Sequence, residues 1–119
     1  MAAYTDLKVW QTSMDMVETI YALTARFPRE ELYGLTSQMR RASVSVPSNI
    51  AEGYGRDQPG YILQFLRIAL GSTRELETQL LLAVRLKFAS DQDSEMARMQ
   101  CDQVGKMLRG LIRSIETKS

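Results

Sequence analysis

In four separate stretches of this chain the apolar residues recur every three or four positions, and nowhere is there the sustained alternation that a half-buried strand requires. A chain with that single period hides its apolar surface as stripes on helices, so the fold class is all-α. The spacing predicts helices over about 5–26, 35–56, 59–88 and 91–117. Short connections between helices of this length predict one domain over residues 1–119, an antiparallel up-down-up-down four-helix bundle.

Each stretch has its own punctuation. In the first, Leu7, Trp10, Met14, Val17 and Tyr21 form the expected core stripe, widened by Met16, Ile20 and Leu23, and Phe27-Pro28 ends it because a residue before proline leaves the α region. Residues 28–34 read as a connector in which Pro28 starts a single turn and Gly34 relaxes the chain. The second carries Leu35, Met39, Ala42, Val46 and Ile50 on one face toward a stop at Gly53-Tyr54-Gly55. Pro47 lies inside it, where the missing N–H and the clash with the Ser43 carbonyl cost about 3 kcal/mol. The chain either kinks there or breaks and restarts; the apolar phase is unchanged across Pro47, which favours the kink.

Asp57 and Pro59 signal the third start, and Ile62, Phe65, Leu66, Ala69, Leu76, Leu80 and Ala83 form its stripe. Gly71-Ser72 in its middle predicts a close backbone approach that offsets their poor helix propensity. Ser90 caps the fourth helix, ahead of Asp91, Asp93 and Glu95, and Ala97, Cys101, Val104, Leu108, Leu111 and Ile115 make a bundle seam.

Composition enters mainly by what it excludes. The 119 residues include no His and one Cys, which removes the usual neutral-pH acid–base group, the commonest zinc ligand and any intrachain disulfide. A Ser–Lys site is poorly supported, since the four lysines fall near helix ends or on polar faces, away from Ser43, Ser45 and Ser48. Glu75 and Glu77 are two apart and diverge on a helix, so they make no carboxylate dyad. Asp91, Asp93 and Glu95 lack the glycine and terminal Glu of a calcium loop. No catalytic residue, metal site, cofactor or small-molecule substrate is expected. Nothing in the first residues reads as a signal peptide and no apolar run spans a bilayer, so the expected compartment is the cytoplasm, with no membrane partner.

The second helix carries the most informative polar pattern. Gln38, Arg41, Ser45, Ser48 or Asn49, Glu52 and Arg56 recur at three- and four-residue steps beside the apolar stripe. A solvated face of this kind is normally richer in Lys and Glu, which favours a hydrogen-bonded seam against a helix or another subunit. Gln38, Arg41, Asn49, Glu52, Glu75 and Glu77 are its candidate members, with Arg41 as the ionic partner of Glu52. Basic residues concentrate in the middle: residues 36–87 hold seven Lys and Arg against four acids, although the whole chain has a net charge of only +1. Arg40, Arg56, Arg67, Arg74, Arg85 and Lys87 are therefore the candidate nucleic-acid contacts, against the alternative that interhelical ion pairs use them up. Seven methionines and leftover apolar positions predict a second buried face between subunits, or gap-filling in one core.

Several spaced motifs also resemble a known family: Phe27-Pro28 with Glu31, Tyr33-Gly34-Leu35, Gln38, Arg40-Arg41-Ala42, Ser45-Val46, Asn49-Ile50-Ala51-Glu52-Gly53, Arg56, Phe65-Leu66, Gly71-Ser72 and Glu75-Leu76-Glu77. Together they resemble the four-helix-bundle proteins of intervening sequences in 23S ribosomal RNA genes, also called S23-type, from Leu7 to about Ile115. That group is similar to the accessory variability protein of diversity-generating retroelements. The resemblance implies a ring-like homopentamer and, in the retroelement branch, a basic surface for nucleic acid and a reverse transcriptase. It implies no settled biochemical activity for the intervening-sequence branch. The expectation from residues and resemblance together is a non-enzymatic oligomer that meets structured RNA or a nucleic-acid-processing protein. The alternative is an adaptor that binds protein only.

Overall fold

A computed structural model of the chain describes residues 3–118; Met1, Ala2 and Ser119, which the single-domain expectation includes, lie outside the described residues. Its elements are a 3-10 turn Tyr4–Asp6, helix α1 (Lys8–Thr24), a second 3-10 turn Arg29–Glu31, and helices α2 (Leu35–Arg56), α3 (Pro59–Arg85) and α4 (Asp91–Lys118), with no strand among the described residues. The elongated body measures 46 × 22 × 20 Å, close to the roughly 40 Å that α3 and α4 span at 1.5 Å per residue.

Neighbouring helices run antiparallel, as cross-helix contacts show. Arg40 on α2 meets Thr24 on α1, and Ser45 on α2 meets Ser72 on α3. Arg67 on α3 meets Glu116 on α4, and the α1–α4 pair is joined by Met16 with Cys101 and Arg26 with Asp93. The core between them holds Met16 and Ile20, Met39, Val46 and Ile50, Leu66, Leu76 and Leu80, and Cys101, Val104 and Leu108.

The α1 stripe needs correction. Its core face is Val9, Ser13, Met16, Ile20, Leu23 and Thr24, whereas Met14 and Tyr21 are 43% and 42% exposed and Trp10 and Val17 are half-buried. Ser13 and Thr24 interrupt the apolar pattern of the face that is buried. Both satisfy their hydroxyls within the helix, Ser13 on the Trp10 carbonyl at 2.8 Å and Thr24 on the Ile20 carbonyl at 2.7 Å. A back-bonded hydroxyl needs no partner from the core, so small polar residues sit there at little cost.

Helix α2 is unbroken through the buried Pro47. It begins after Gly34, where a Cβ would stand 2.8 Å from Glu31 Oε1, the atom that accepts from the Leu35 N–H at 3.1 Å. It ends at Asp57, whose φ of 55° is left-handed, so Asp57 closes α2 rather than opening α3; Gln58 precedes Pro59, the first residue of α3. The close helix approach is at Gly53, where a Cβ would stand 2.9 Å from Phe65 Cβ and 3.4 Å from Ile62 Cα. Gly71, where close packing was expected, has nothing within 4 Å of an added Cβ. At α4, the Ser90 hydroxyl accepts from the Asp93 N–H at 3.0 Å.

Candidate functional site

The polar stripe of α2 meets α3 in a short hydrogen-bonded chain. Asn49 donates from its side-chain amide to the carbonyl and hydroxyl oxygens of Ser45, at 2.7 and 2.8 Å, and the Ser45 and Ser72 hydroxyl oxygens are 2.8 Å apart. Ser72 thus serves α3 as a polar contact. Beyond this chain, toward the start of α2, lies a recess of about 490 Å³ lined chiefly by Tyr33, Gln38, Arg41, Ser45, Ser72 and Glu75.

The seam candidates divide between these places. Asn49 is half-buried in the hydrogen-bonded chain, and Gln38, Arg41 and Glu75 are exposed around the recess. Glu52 is exposed and pairs with Arg56 at 3.2 Å on its own helix. The expected Arg41–Glu52 pair does not form within the subunit: eleven residues on one helix separate them by about 16 Å. Glu77, half-buried, pairs with Arg74 at 2.8 Å. Glu75 accepts from Gln79 at 3.5 Å, and the buried Gln79 leaves its Oε1 without a hydrogen-bond partner.

The candidate nucleic-acid contacts are mostly engaged. Arg40 donates Nε to Thr24 Oγ1 at 3.0 Å and lies over the Tyr21 ring at 4.6 Å, which makes it a bridge from α2 to α1. Arg56 pairs with Glu52 and stacks 5.1 Å from Tyr61 and 5.2 Å from Phe65. Arg67, Arg74 and Arg85 follow one side of α3 at seven- and eleven-residue steps, but Glu116 neutralises the first and Glu77 the second. Arg85 and Lys87, at the carboxyl end of α3, have no acidic partner among the described residues.

Two apolar surfaces remain open. Between α1 and α2 a groove of about 380 Å³ is lined by Tyr4, Trp10, Met14, Val17, Val44 and Pro47. On α3 a recess of about 400 Å³ is lined by Leu81, Leu82 and Val84 with Thr78 and Arg85, and the neighbouring Leu86 is exposed as well. The first contains three of the residues that sequence periodicity assigned to the core of α1, Trp10, Met14 and Val17. Tyr33, 93% exposed, appeared in the sequence only as part of a motif and carried no role of its own.

The described residues hold no group of three or more His, Cys, Asp or Glu able to ligate a metal, and no helix is long and apolar enough to cross a membrane. Burial, then Glu77, pushes the Cys101 thiol up to about 12, so its thiolate is suppressed.

Fold and surface together define a small four-helix protein with two open apolar surfaces and a polar α2–α3 recess. The chain belongs to the 23S rRNA-intervening sequence protein family, whose profile matches residues 5–110. It is similar in fold to a solved protein of unknown function from the S23 ribosomal protein family of Bacteroides thetaiotaomicron: TM-score 0.82, 23% identity, covering 88% of this chain and 95% of that one. No curated protein matches the chain. Neither the family nor this neighbour is assigned an enzymatic activity.

Proposed function

We propose that this chain is a non-enzymatic cytoplasmic interaction protein that works as a closed homo-oligomer, and that the assembled ring meets structured RNA or an RNA-processing partner. The observation that carries the reading is the pair of unlike apolar surfaces on one subunit, the α1–α2 groove and the Leu81–Leu82 face. When the groove of one copy takes the α3 face of the next, the contact is head-to-tail, and such contacts give a ring when the rotation between copies closes and an open filament when it does not. The homopentamer implied by the family resemblance is the ring size we adopt.

A ring also multiplies the unpaired cations that do not line the covered α3 face, Lys87 among them, into a belt of positive potential. Exposed ion pairs such as Arg67–Glu116 are worth at most about 1 kcal/mol, so a phosphate can compete for their arginines. The RNA-side name of the family agrees with this reading and supplies no more than a name. The test is filter binding of a structured RNA to wild type and to an Arg67→Ala/Lys87→Ala double mutant, both positions lying outside the lining of the α3 face. Retention that falls steeply with salt and is weakened in the mutant supports the RNA contact.

One observation favours a second reading, the adaptor that binds protein only: Arg56, Arg67 and Arg74 are all paired with glutamates. If wild type retains no RNA at low salt, the oligomer and the apolar surfaces stay as proposed and the partner is a protein.

A further inference from the structure

The recess between α2 and α3 combines features that the assembly described above does not use. Tyr33 stands 93% exposed on the connector before α2, with no side chain stacked on it. Arg41, also exposed, has no acidic partner among the described residues although Glu75 lines the same recess. Three of the other four tyrosines are spoken for: Tyr4 meets Trp10, Tyr21 takes Arg40 and Tyr61 takes Arg56. An unpaired guanidinium and an uncovered aromatic ring at one concavity are the two elements that grip an unstacked nucleotide, phosphate on the cation and base on the ring.

The spacing suits that occupant. Arg41 stands about 9 Å along the α2 axis from Leu35, and Tyr33 lies just before that start, so the two flank the recess lengthwise. The remaining lining is mostly hydrogen-bonding, Ser37, Gln38, Ser45, Ser72 and Glu75, with Ala42 its one apolar member. The Glu75 carboxylate accepts only and is engaged by nothing shorter than the 3.5 Å contact from Gln79. A base that donates two neighbouring N–H groups from its Watson–Crick edge complements a carboxylate, and guanine, with N1–H and N2–H, is the base that does so.

We propose that the α2–α3 recess binds one unstacked guanine nucleotide, its base on Tyr33 and against Glu75 and its phosphate on Arg41. The site deepens the RNA reading when the nucleotide belongs to a strand, and to that extent rests on it; the same chemistry takes a free nucleotide. No bond is made or broken there.

Calorimetric titration of the full chain with guanosine 5′-monophosphate, adenosine 5′-monophosphate and inorganic phosphate tests the site, alongside a single-stranded RNA carrying one guanine among adenines. The guanine nucleotide is expected to bind about tenfold more tightly than the adenine one, with phosphate weaker than both. Tyr33→Ala and Arg41→Gln are each expected to weaken it about tenfold, and Glu75→Gln to remove the preference for guanine. All three side chains are exposed, so folding is retained, and circular dichroism checks this. Guanosine monophosphate binding no tighter than phosphate, or binding unchanged in Tyr33→Ala and Arg41→Gln, overturns the proposal. Structured RNA that binds equally well to wild type and both variants, with no mononucleotide binding, removes the recess and leaves the RNA reading standing. Mononucleotide binding without RNA binding does the reverse. Tighter binding of the strand than of the mononucleotide identifies RNA as the source.

Discussion

Gly53 on α2 faces Phe65 on α3 so closely that a Cβ added to the glycine would stand 2.9 Å from the Cβ of the phenylalanine. The two helices are therefore held at a separation that only a missing side chain permits, and the rest of the α2–α3 contact follows from it. Eight residues back along α2 and seven on along α3, Ser45 and Ser72 meet in a hydrogen bond, with the recess beyond them.

Gly53→Ala forces the helices apart and is expected to lower the unfolding free energy by about 1–3 kcal/mol. Gly71→Ala, where nothing lies within 4 Å, removes only the conformational cost of a glycine inside a helix and is expected to stabilise by about 0.5–1 kcal/mol. Urea denaturation of the two variants reads opposite signs. The same sign in both would mean that the backbone contact is not at Gly53.

The Asn49–Ser45–Ser72 chain should behave as a unit. In a double-mutant cycle, Ser45→Ala and Ser72→Ala are expected to couple by about 0.5–1.5 kcal/mol, because removing either hydroxyl deprives the other of its partner. Additive effects on thermal or urea unfolding would place the two hydroxyls in separate environments.

Glu52→Ala removes an exposed pair one turn long and is expected to change stability by no more than about 0.5 kcal/mol. A loss of several kcal/mol, measured together with a lower oligomeric mass, would instead place Glu52 in a buried contact between subunits.

Cys101 makes stability fall at alkaline pH. Its thiol, buried beside Met16 Sγ-to-Sδ at 3.7 Å, is pushed up to about 12 from an ordinary 9.0, first by burial and then by Glu77. The unfolded chain gives up this proton first, so the contribution is complete below pH 9 and is lost as pH rises from 9 toward 12, by up to about 1.4 kcal/mol per unit. Tyr54, raised by burial, adds a loss of the same sign above pH 10. Urea unfolding at pH 8 and pH 10 is expected to show a smaller drop for Cys101→Ala than for wild type; equal drops would contradict the assignment.

Sequence periodicity located the buried positions where one face is apolar and the other is not. On α2, Met39, Ala42, Val46 and Ile50 are buried as the spacing requires, as are Leu66, Ala69, Leu76, Leu80 and Ala83 on α3 and Ala97, Cys101, Val104 and Leu108 on α4. On α1 two faces are apolar: of the stripe read from the spacing, Met16, Ile20 and Leu23 are buried and Leu7 and Trp10 pack against the core from its edge, while Met14 and Tyr21 are exposed. Ser13 and Thr24 mark the face that is buried, but their hydroxyls are satisfied locally and carry no sequence signal of burial. Helical period placed Gln38, Arg41, Ser45 and Asn49 on one stripe. It does not tell which part of a stripe closes on α3 and which part lines an open recess, because that depends on the helix separation set at Gly53. Nor does a count of arginines show which acid stands beside each: Arg67 meets a glutamate 49 residues away on α4.

In the proposed assembly, other copies of the chain cover the open α1–α2 groove and the Leu81–Leu82 face. Sedimentation equilibrium of the full chain at micromolar concentration measures this directly. One closed species of pentameric mass is expected, reduced in mass by Met14→Lys or by Leu82→Asp, since either puts a charge into the contact. A wild-type chain that sediments as a monomer at that concentration would contradict it.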